Sequence, residues 1–230
     1  MTTITLYSAP SCPYAQRTRL LLHEKGLAFE LVEIDLKQTP AWYLELSPTG
    51  KVPLLQHGDD RVWESSAINE YLEERHPEPP LMPATPLARA RVRIAVDFAN
   101  TVFAPLYYKL LLAETPARRQ QMAARLATTL AEMERDGPGA DRDGPWWFGA
   151  AFTLADIACY PFFERFPVLA HYRGFELPDT CTGLARWLAA MRGRASVQAQ
   201  GQPAAFYIDA YRHYADGSAD GSTAREMREA

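Results

Sequence analysis

Ser11-Cys12-Pro13-Tyr14-Ala15-Gln16-Arg17 carries the main decision in this 230-residue chain. Residues 4–7 ahead of it have strand character. Residues 13–25 behind it have helical character and end at Gly26, where a helix C′ glycine belongs. Pro13 follows the cysteine at the first helical position, where a missing N–H costs nothing. Cys12 is therefore expected at the helix N-terminus, facing unpaired N–H donors and the positive end of the helix dipole. That setting favours thiolate over thiol, and reactive cysteines so placed have pKa values of roughly 3.5–7.5. A lone cysteine is more commonly a buried core residue, but a strand–turn–helix junction faces a cleft. Ala15 stands where a dithiol oxidoreductase needs its second cysteine, and Cys159 and Cys181 lie far along the chain. Cys12 is expected to work alone, with an external thiol closing any cycle it runs.

Outward from this segment the chain divides in two. Residues 29–36 read as a second strand, and 52–55 and 61–63 as short strands around the turn His57-Gly58-Asp59-Asp60. Residues 65–75 read as a helix. The order β-α-β, an irregular stretch, then β-β-α makes a small mixed sheet with helices on its faces. Five prolines within residues 77–86 form a stiff, extended connector. Beyond it, residues 87–114, 116–135, 154–169 and 183–192 read as helices. The expected class is α/β plus all-α: a first domain over 1–78, a linker over 79–86, a helical domain over 87–215, and a flexible, Gly/Ser-rich tail over 216–230.

Composition narrows the function classes. With 24 Lys+Arg against 28 Asp+Glu the net charge is −4, so the electrostatic footprint for binding nucleic acid is missing. Three widely spaced cysteines make no disulfide framework or zinc site, which points to a reducing, cytoplasmic compartment. The five histidines have no metal-ligand spacing, so no metal is expected. Residues 1–7 lack the pattern of a secretory signal. The most apolar stretch, 146–163, is interrupted by Gly149, Thr153, Asp156 and Pro161 and reads as a loop entering a buried helix, so no membrane partner is expected.

Two further motifs bear on chemistry. Val52-Pro53 opens a strand, a place where a cis peptide can aim backbone groups at a ligand, and the Val52 N–H and C=O could pair with a peptide-like substrate as an added strand would. Trp63-Glu64-Ser65-Ser66 passes from strand to helix. Ser65 reads as an N-cap, and the helix N-terminus as a carboxylate site with Glu64 taking an ammonium group. A carboxylate and an ammonium on one carbon make an amino-acid head. In the second half, Thr153 and Asp156 form a capping-box pair with Phe152 and Ile157 as hydrophobic staple, a structural role, and Pro161 is expected to kink that helix.

Taken together and in order, Cys12-Pro13-Tyr14-Ala15-Gln16-Arg17, Val52-Pro53, Glu64-Ser65, the proline linker and residues 152–166 resemble the cytosolic glutathione transferases, in their cysteine-type branch (omega, lambda and dehydroascorbate-reductase classes). The resemblance implies a thioredoxin-like domain followed by an all-helical domain, with glutathione as co-substrate and its sulfur at Cys12. It implies Tyr14 beside the thiol, Val52 and Pro53 at the backbone contact, and Glu64 and Ser65 around the γ-glutamyl group. Omega-type relatives tend to carry a lysine where this chain has Thr39, so Lys37 or Lys51 is left for the glycyl carboxylate. Phe103, Tyr107 and Tyr108 are the candidates for a small hydrophobic or thiol-bearing co-substrate, although the aromatics of this half are mostly core. Tyr7, near the end of the first strand, packs on the sheet and leaves the thiol position to Cys12. The implied activity is glutathione-dependent thiol transfer or reduction through a Cys12–glutathione mixed disulfide. The alternatives are conjugation of small electrophiles and a non-catalytic regulatory relative. A homodimer is implied by the same resemblance.

Overall fold

The computed structural model describes residues 3–140 and 142–229. Met1, Thr2, Asp141 and Ala230, which the domain boundaries above include, lie outside the described residues. The first half runs β1 (Ile4–Ser8), α1 (Pro13–Glu24), β2 (Glu30–Glu33), α2 (Ala41–Leu46), β3 (Leu54–His57), β4 (Asp60–Trp63) and α3 (Ser65–Arg75). The sheet order is β2-β1-β3-β4, with β2 parallel to β1 and the other neighbours antiparallel. This order follows from the connections. A helix can return the chain to a parallel partner, whereas the short turn at Gly58 (φ +64°) permits only an antiparallel one. Leu6, Leu55, Ile68 and Leu72 pack together in the core.

Some elements differ from the sequence reading. β2 is shorter than residues 29–36, because the Ile34 N–H to Ser8 carbonyl bond (2.7 Å) lies at its end and the Asp35 carboxylate then accepts the Lys37 N–H (2.8 Å), turning the chain away. The irregular stretch contains α2, a short helix that presents Tyr43 inward and leaves Trp42 and Leu44 exposed.

The second half runs α4 (Pro86–Phe98), a π-helical turn (Ala99–Phe103), α5 (Ala104–Leu111), α6 (Pro116–Asp136), α7 (Leu154–Glu164), α8 (Phe166–Arg173), α9 (Thr182–Arg192), α10 (Ala195–Gln198), α11 (Ala204–Ala210), α12 (Arg212–Ala215) and α13 (Ser222–Glu229). The expected helix 87–114 is interrupted because Pro105 has no N–H to return to the preceding turn, which widens ahead of it. The expected helix 154–169 breaks for the same reason. α7 continues through Pro161, and the break falls at Arg165, just before Pro167 at the start of α8. The tail packs over its described residues, where the sequence led to the expectation of an unpacked segment. Ala219 and Ala224 are buried and Met227 packs against the core, while Arg228 donates to the Gly217 and Ala219 carbonyls (2.8 and 2.7 Å). The glycines and serines of residues 216–222 end in a stretch of good helix formers whose apolar members reach the core.

The halves are fastened together. Lys25 forms a buried ion pair with Glu73 and donates to the Pro79 carbonyl (2.8 Å). Glu73 also accepts the N–H groups of Leu81 and Met82 (3.1 and 3.0 Å), so its carboxylate is met by a cation and by two donors of the proline segment. Further along, α1 meets α7 through Arg17 Nε and the Ala158 carbonyl (2.8 Å) and through Gln16 Nε2 and Glu164 (2.6 Å). Asp156 sits at the start of α7, wholly buried, accepting from the N–H groups of Trp147 and Thr153 (2.8 Å each), the Thr153 hydroxyl (3.1 Å) and Trp187 Nε1 (2.8 Å). With Thr153 it forms a capping box.

Candidate active site at the start of α1

Cys12 is the N-cap of α1, in extended conformation, with Pro13 at the first helical position. Its sulfur accepts the Ala15 N–H (3.5 Å), so the sequence pattern produces the helix-terminus geometry expected of it. The second contact is different in kind. The thiol donates to the Val52 carbonyl (3.7 Å), and the Val52–Pro53 peptide that presents this carbonyl is cis.

The ionisation of this sulfur corrects the expectation of a resting thiolate. Burial, the largest influence, pushes the Cys12 pKa above the usual thiol value. The Ala15 N–H, the charge of Arg165, the Tyr14 N–H and the charge of Arg19 pull it down without reversing the shift. Tyr14, Tyr43, Tyr211 and Tyr214 have pKa values raised chiefly by burial, and an ionised Cys12 in turn raises them further. Sequence position supplies the helix terminus, but the burial comes from the cluster the side chain packs on, which includes Ile34, Tyr43, Val52 and Leu54 from segments distant in the chain.

Glu64 caps α3 with φ 66° and ψ 117°, and it has the only positive φ of a non-glycine residue among the described residues. A left-handed conformation held at a residue with a Cβ is strain that the surroundings must maintain. Ser65 is the first residue of α3 and not its N-cap, which corrects that detail of the sequence reading. Its hydroxyl accepts from Arg17 Nη1 (3.4 Å), which also donates to Asn100 Oδ1 (2.6 Å). Asn100 in turn donates to the Ser66 hydroxyl (3.0 Å). A buried guanidinium therefore stands behind the N-terminus of α3 and adds positive potential where its N–H groups are free.

Tyr14 is half-buried, edge-on to Phe162 (5.4 Å) and beneath the Arg17 guanidinium (4.9 Å); burial pushes its hydroxyl up to about 12, so it stays protonated at neutral pH. Tyr7 packs on the sheet against Tyr43 (5.6 Å), its hydroxyl donating to Gln56 (3.2 Å). Lys51 pairs with Glu226 of α13 (2.6 Å), both side chains well exposed. Lys37 is exposed on the segment after β2, close enough to His213 for its charge to lower that residue's pKa after the larger effect of burial.

The co-substrate candidates fare differently. Phe103, Tyr107 and Tyr108 are buried and form part of the helical core, not the wall of an open cleft. Phe103 packs on Phe163 (4.9 Å), Tyr107 donates to the Arg165 carbonyl (3.0 Å), and Tyr108 stacks on Tyr211 (6.3 Å, 13° between planes). They lie on α5 and the turn before it, whose apolar face is turned into the bundle.

Sequence reasoning missed the residues that reach the Cys12 loop from the far half. Arg165, fully buried, donates through Nε and Nη2 to the Ser11 carbonyl (3.2 and 3.1 Å), and the Tyr211 hydroxyl donates to the same oxygen (3.1 Å). Two signals were available. Glu164-Arg165 interrupts the run Phe162-Phe163…Phe166, where buried charge must be paired. Tyr207, Tyr211 and Tyr214 recur at helical spacing, the pattern of a buried stripe.

A lone cysteine at a helix terminus, a backbone carbonyl accepting from it, and a strained acidic cap on α3 make up the site. The family profile described as glutathione S-transferase, N-terminal domain, matches residues 6–80, and the one described as glutathione S-transferase, C-terminal domain, matches residues 116–190. Glutathione S-transferase omega-1 of Mus musculus is 30% identical over 194 residues, covering 82% of this chain and 76% of the mouse protein. The chain belongs to the glutathione S-transferase family. Among solved structures, glutathione transferase Omega 3C from Trametes versicolor superposes with a TM-score of 0.82 at 29% identity, over 92% of this chain and 89% of that one. Chlamydomonas reinhardtii dehydroascorbate reductase superposes with a TM-score of 0.74 at 27% identity, over 92% and 98%. This glutathione S-transferase is of the cysteine type and carries the thioredoxin-like and helical halves expected from its sequence. Among its described residues no helix is long and apolar enough to cross a membrane, and no group of three or more His, Cys, Asp or Glu is placed to hold a metal ion.

Proposed function

We propose that this protein is a glutathione-dependent thiol transferase and reductase acting through a Cys12–glutathione mixed disulfide. The observation that carries the reading is the isolation of Cys12. The other cysteines, Cys159 and Cys181, are buried in the helical half, so no internal thiol resolves what Cys12 forms. Cys12 thiolate attacks the glutathionyl sulfur of a mixed disulfide; the S–S bond breaks, and the other thiolate leaves and takes a proton. A second glutathione thiolate then attacks Cys12–S–SG, releasing glutathione disulfide and restoring the Cys12 thiolate. The Ala15 N–H supports negative charge on this sulfur in both steps.

Glutathione lies in this reading along Val52 and Pro53, its cysteinyl backbone pairing with the Val52 N–H and C=O. Its γ-glutamyl ammonium meets Glu64, its α-carboxylate meets Ser65 and the start of α3, and Tyr14 flanks the sulfur. Lys51 or Lys37 takes the glycyl carboxylate. Within the same reading the protein works in the cytoplasm as a homodimer, with the exposed Leu87 and Ile94, seven residues apart on α4, in the contact.

One observation favours a second reading, conjugation of small electrophiles. A Cys12 thiol that donates a hydrogen bond could donate it to the thiolate of bound glutathione instead. Cys12→Ser separates the two. We expect it to abolish glutathione-dependent reduction of a small disulfide and of dehydroascorbate while sparing or raising conjugation of an aromatic halide. Reduction at an unchanged rate would overturn the mixed-disulfide mechanism.

A further inference from the structure

The loop that carries the nucleophile is not held by its own domain alone. The Ser11–Cys12 peptide is fixed at its N–H end by the Ala9 carbonyl (3.1 Å) and at its C=O end by three donors from the helical half: Arg165 Nε, Arg165 Nη2 and the Tyr211 hydroxyl. Three donors on one carbonyl oxygen exceed what is needed to satisfy a buried acceptor. Arg165 is itself fixed. Its Nη1 donates to Gln16 Oε1 and to the Pro161 carbonyl (2.6 Å each), and the Tyr207 ring lies 4.2 Å from the guanidinium carbon. Glu164, which pairs with Arg165 (3.7 Å), accepts in turn from Tyr207 and Gln16 (2.7 and 2.6 Å). Tyr211 is held by its stacking on Tyr108 and a hydroxyl contact with it (3.5 Å).

A planar guanidinium that gives two parallel N–H groups to one oxygen restrains direction as well as distance. The carbonyl it grips belongs to the residue immediately before Cys12, so a shift of that peptide plane moves the sulfur relative to the Ala15 N–H and the Val52 carbonyl. We propose that Arg165, assisted by Tyr211, is a positioning residue for the Cys12 sulfur, acting from the helical half through the Ser11 carbonyl. It need not touch glutathione. Its charge also favours the ionised sulfur, alongside Arg19 and against the effect of burial. The effect on turnover rests on the mixed-disulfide reading given above; the effect on the sulfur itself does not.

The test compares wild type with Arg165→Met, Arg165→Lys and Tyr211→Phe. Alkylation of Cys12 by iodoacetamide is followed by peptide mass spectrometry as pH is raised, together with kcat and KM for glutathione in disulfide reduction. Arg165→Met is expected to slow alkylation at pH 7.5 by about 3-fold or more and to displace its pH profile upward, with partial recovery in Arg165→Lys. Because the hydrogen bonds and ion pair of Arg165 go to none of the groups assigned to glutathione, kcat should fall by roughly 10- to 100-fold with KM within about 2-fold of wild type. Tyr211→Phe removes one donor without changing shape, and should slow alkylation and kcat by about 2- to 5-fold. An unchanged profile and kcat in folded Arg165→Met would overturn the proposal. Should Arg165→Met not fold, wild-type behaviour of Tyr211→Phe in both measurements would overturn it equally. Alkylation needs no glutathione, so an altered profile in a protein without reductase activity would uphold the positioning role and reject the reaction.

Discussion

The Cys12 sulfur and the Val52 carbonyl oxygen face each other at 3.7 Å, with the sulfur as donor. A nucleophile that begins as a donor must lose its proton before it can attack, and burial holds that proton more tightly than an ordinary thiol does. The pH dependence follows directly. In the free protein Cys12 alkylation should still be rising at pH 9, above the ordinary thiol value of about 8.5. A plateau already reached by pH 7 would show the sulfur to be ionised at rest. The same shift makes a statement about stability. A raised acid pKa in the native state contributes stability that is present below the unfolded value and is lost as pH rises through the folded one.

Asp156 gives a second pH signature, of structural origin. Its four donors favour the carboxylate, but complete burial outweighs them and pushes the pKa from the usual 3.8 up to about 6. Such a rise corresponds to about 3 kcal/mol of stability that is fully present below pH 4 and lost as pH rises through 6. Asp156→Asn cannot titrate, and its amide NH2 must face groups that are all donors. We expect it to destabilise the fold by about 2–4 kcal/mol. In denaturant titrations the gap to wild type should widen as pH is lowered from 7.5 towards 4. A gap that narrows on acidification would contradict this account.

Glu64 separates fold from binding. Glycine adopts a φ of 66° freely, so Glu64→Gly relieves strain on the order of 1 kcal/mol and should leave the melting temperature unchanged or higher. The same change removes the carboxylate assigned to the γ-glutamyl ammonium and should weaken retention on immobilised glutathione by about 10-fold. Retention equal to that of wild type would remove Glu64 from the site.

The pair Lys51–Glu226 distinguishes the two lysines offered for the glycyl carboxylate. If Lys51 takes that carboxylate, Glu226 competes with it, and Glu226→Gln should tighten glutathione binding by about 2- to 5-fold at low ionic strength, an effect that salt erases. Isothermal titration checks this, and unchanged affinity would assign the role to Lys37.

Local motifs were legible because each is a short segment whose geometry depends on its own neighbours. Cys12 with Pro13 and Glu64 with Ser65 fall where a helix begins just after a strand, and Val52 with Pro53 falls where β3 begins. The helix ends set by Gly26 and Arg75 followed from local chemistry as well. α2 was hidden because it has six residues and no capping side chain. The breaks near Pro105 and Arg165 were hidden by strong helical periodicity on both sides of them. The burial of Arg165 and Tyr211 left a trace in the sequence, but their contact with Ser11 did not, because each meets it from more than 150 residues away in the chain. The burial of Phe103, Tyr107 and Tyr108 depends likewise on which face of α5 the bundle covers, and one helix's sequence does not specify that.

Glu73 acts on the linker as a rivet. With Lys25 on one side and two amides of the connector on the other, it ties the start of the linker to α1 and α3. Removing its carboxylate would strand a buried ammonium and two amide N–H groups where the linker leaves the first half.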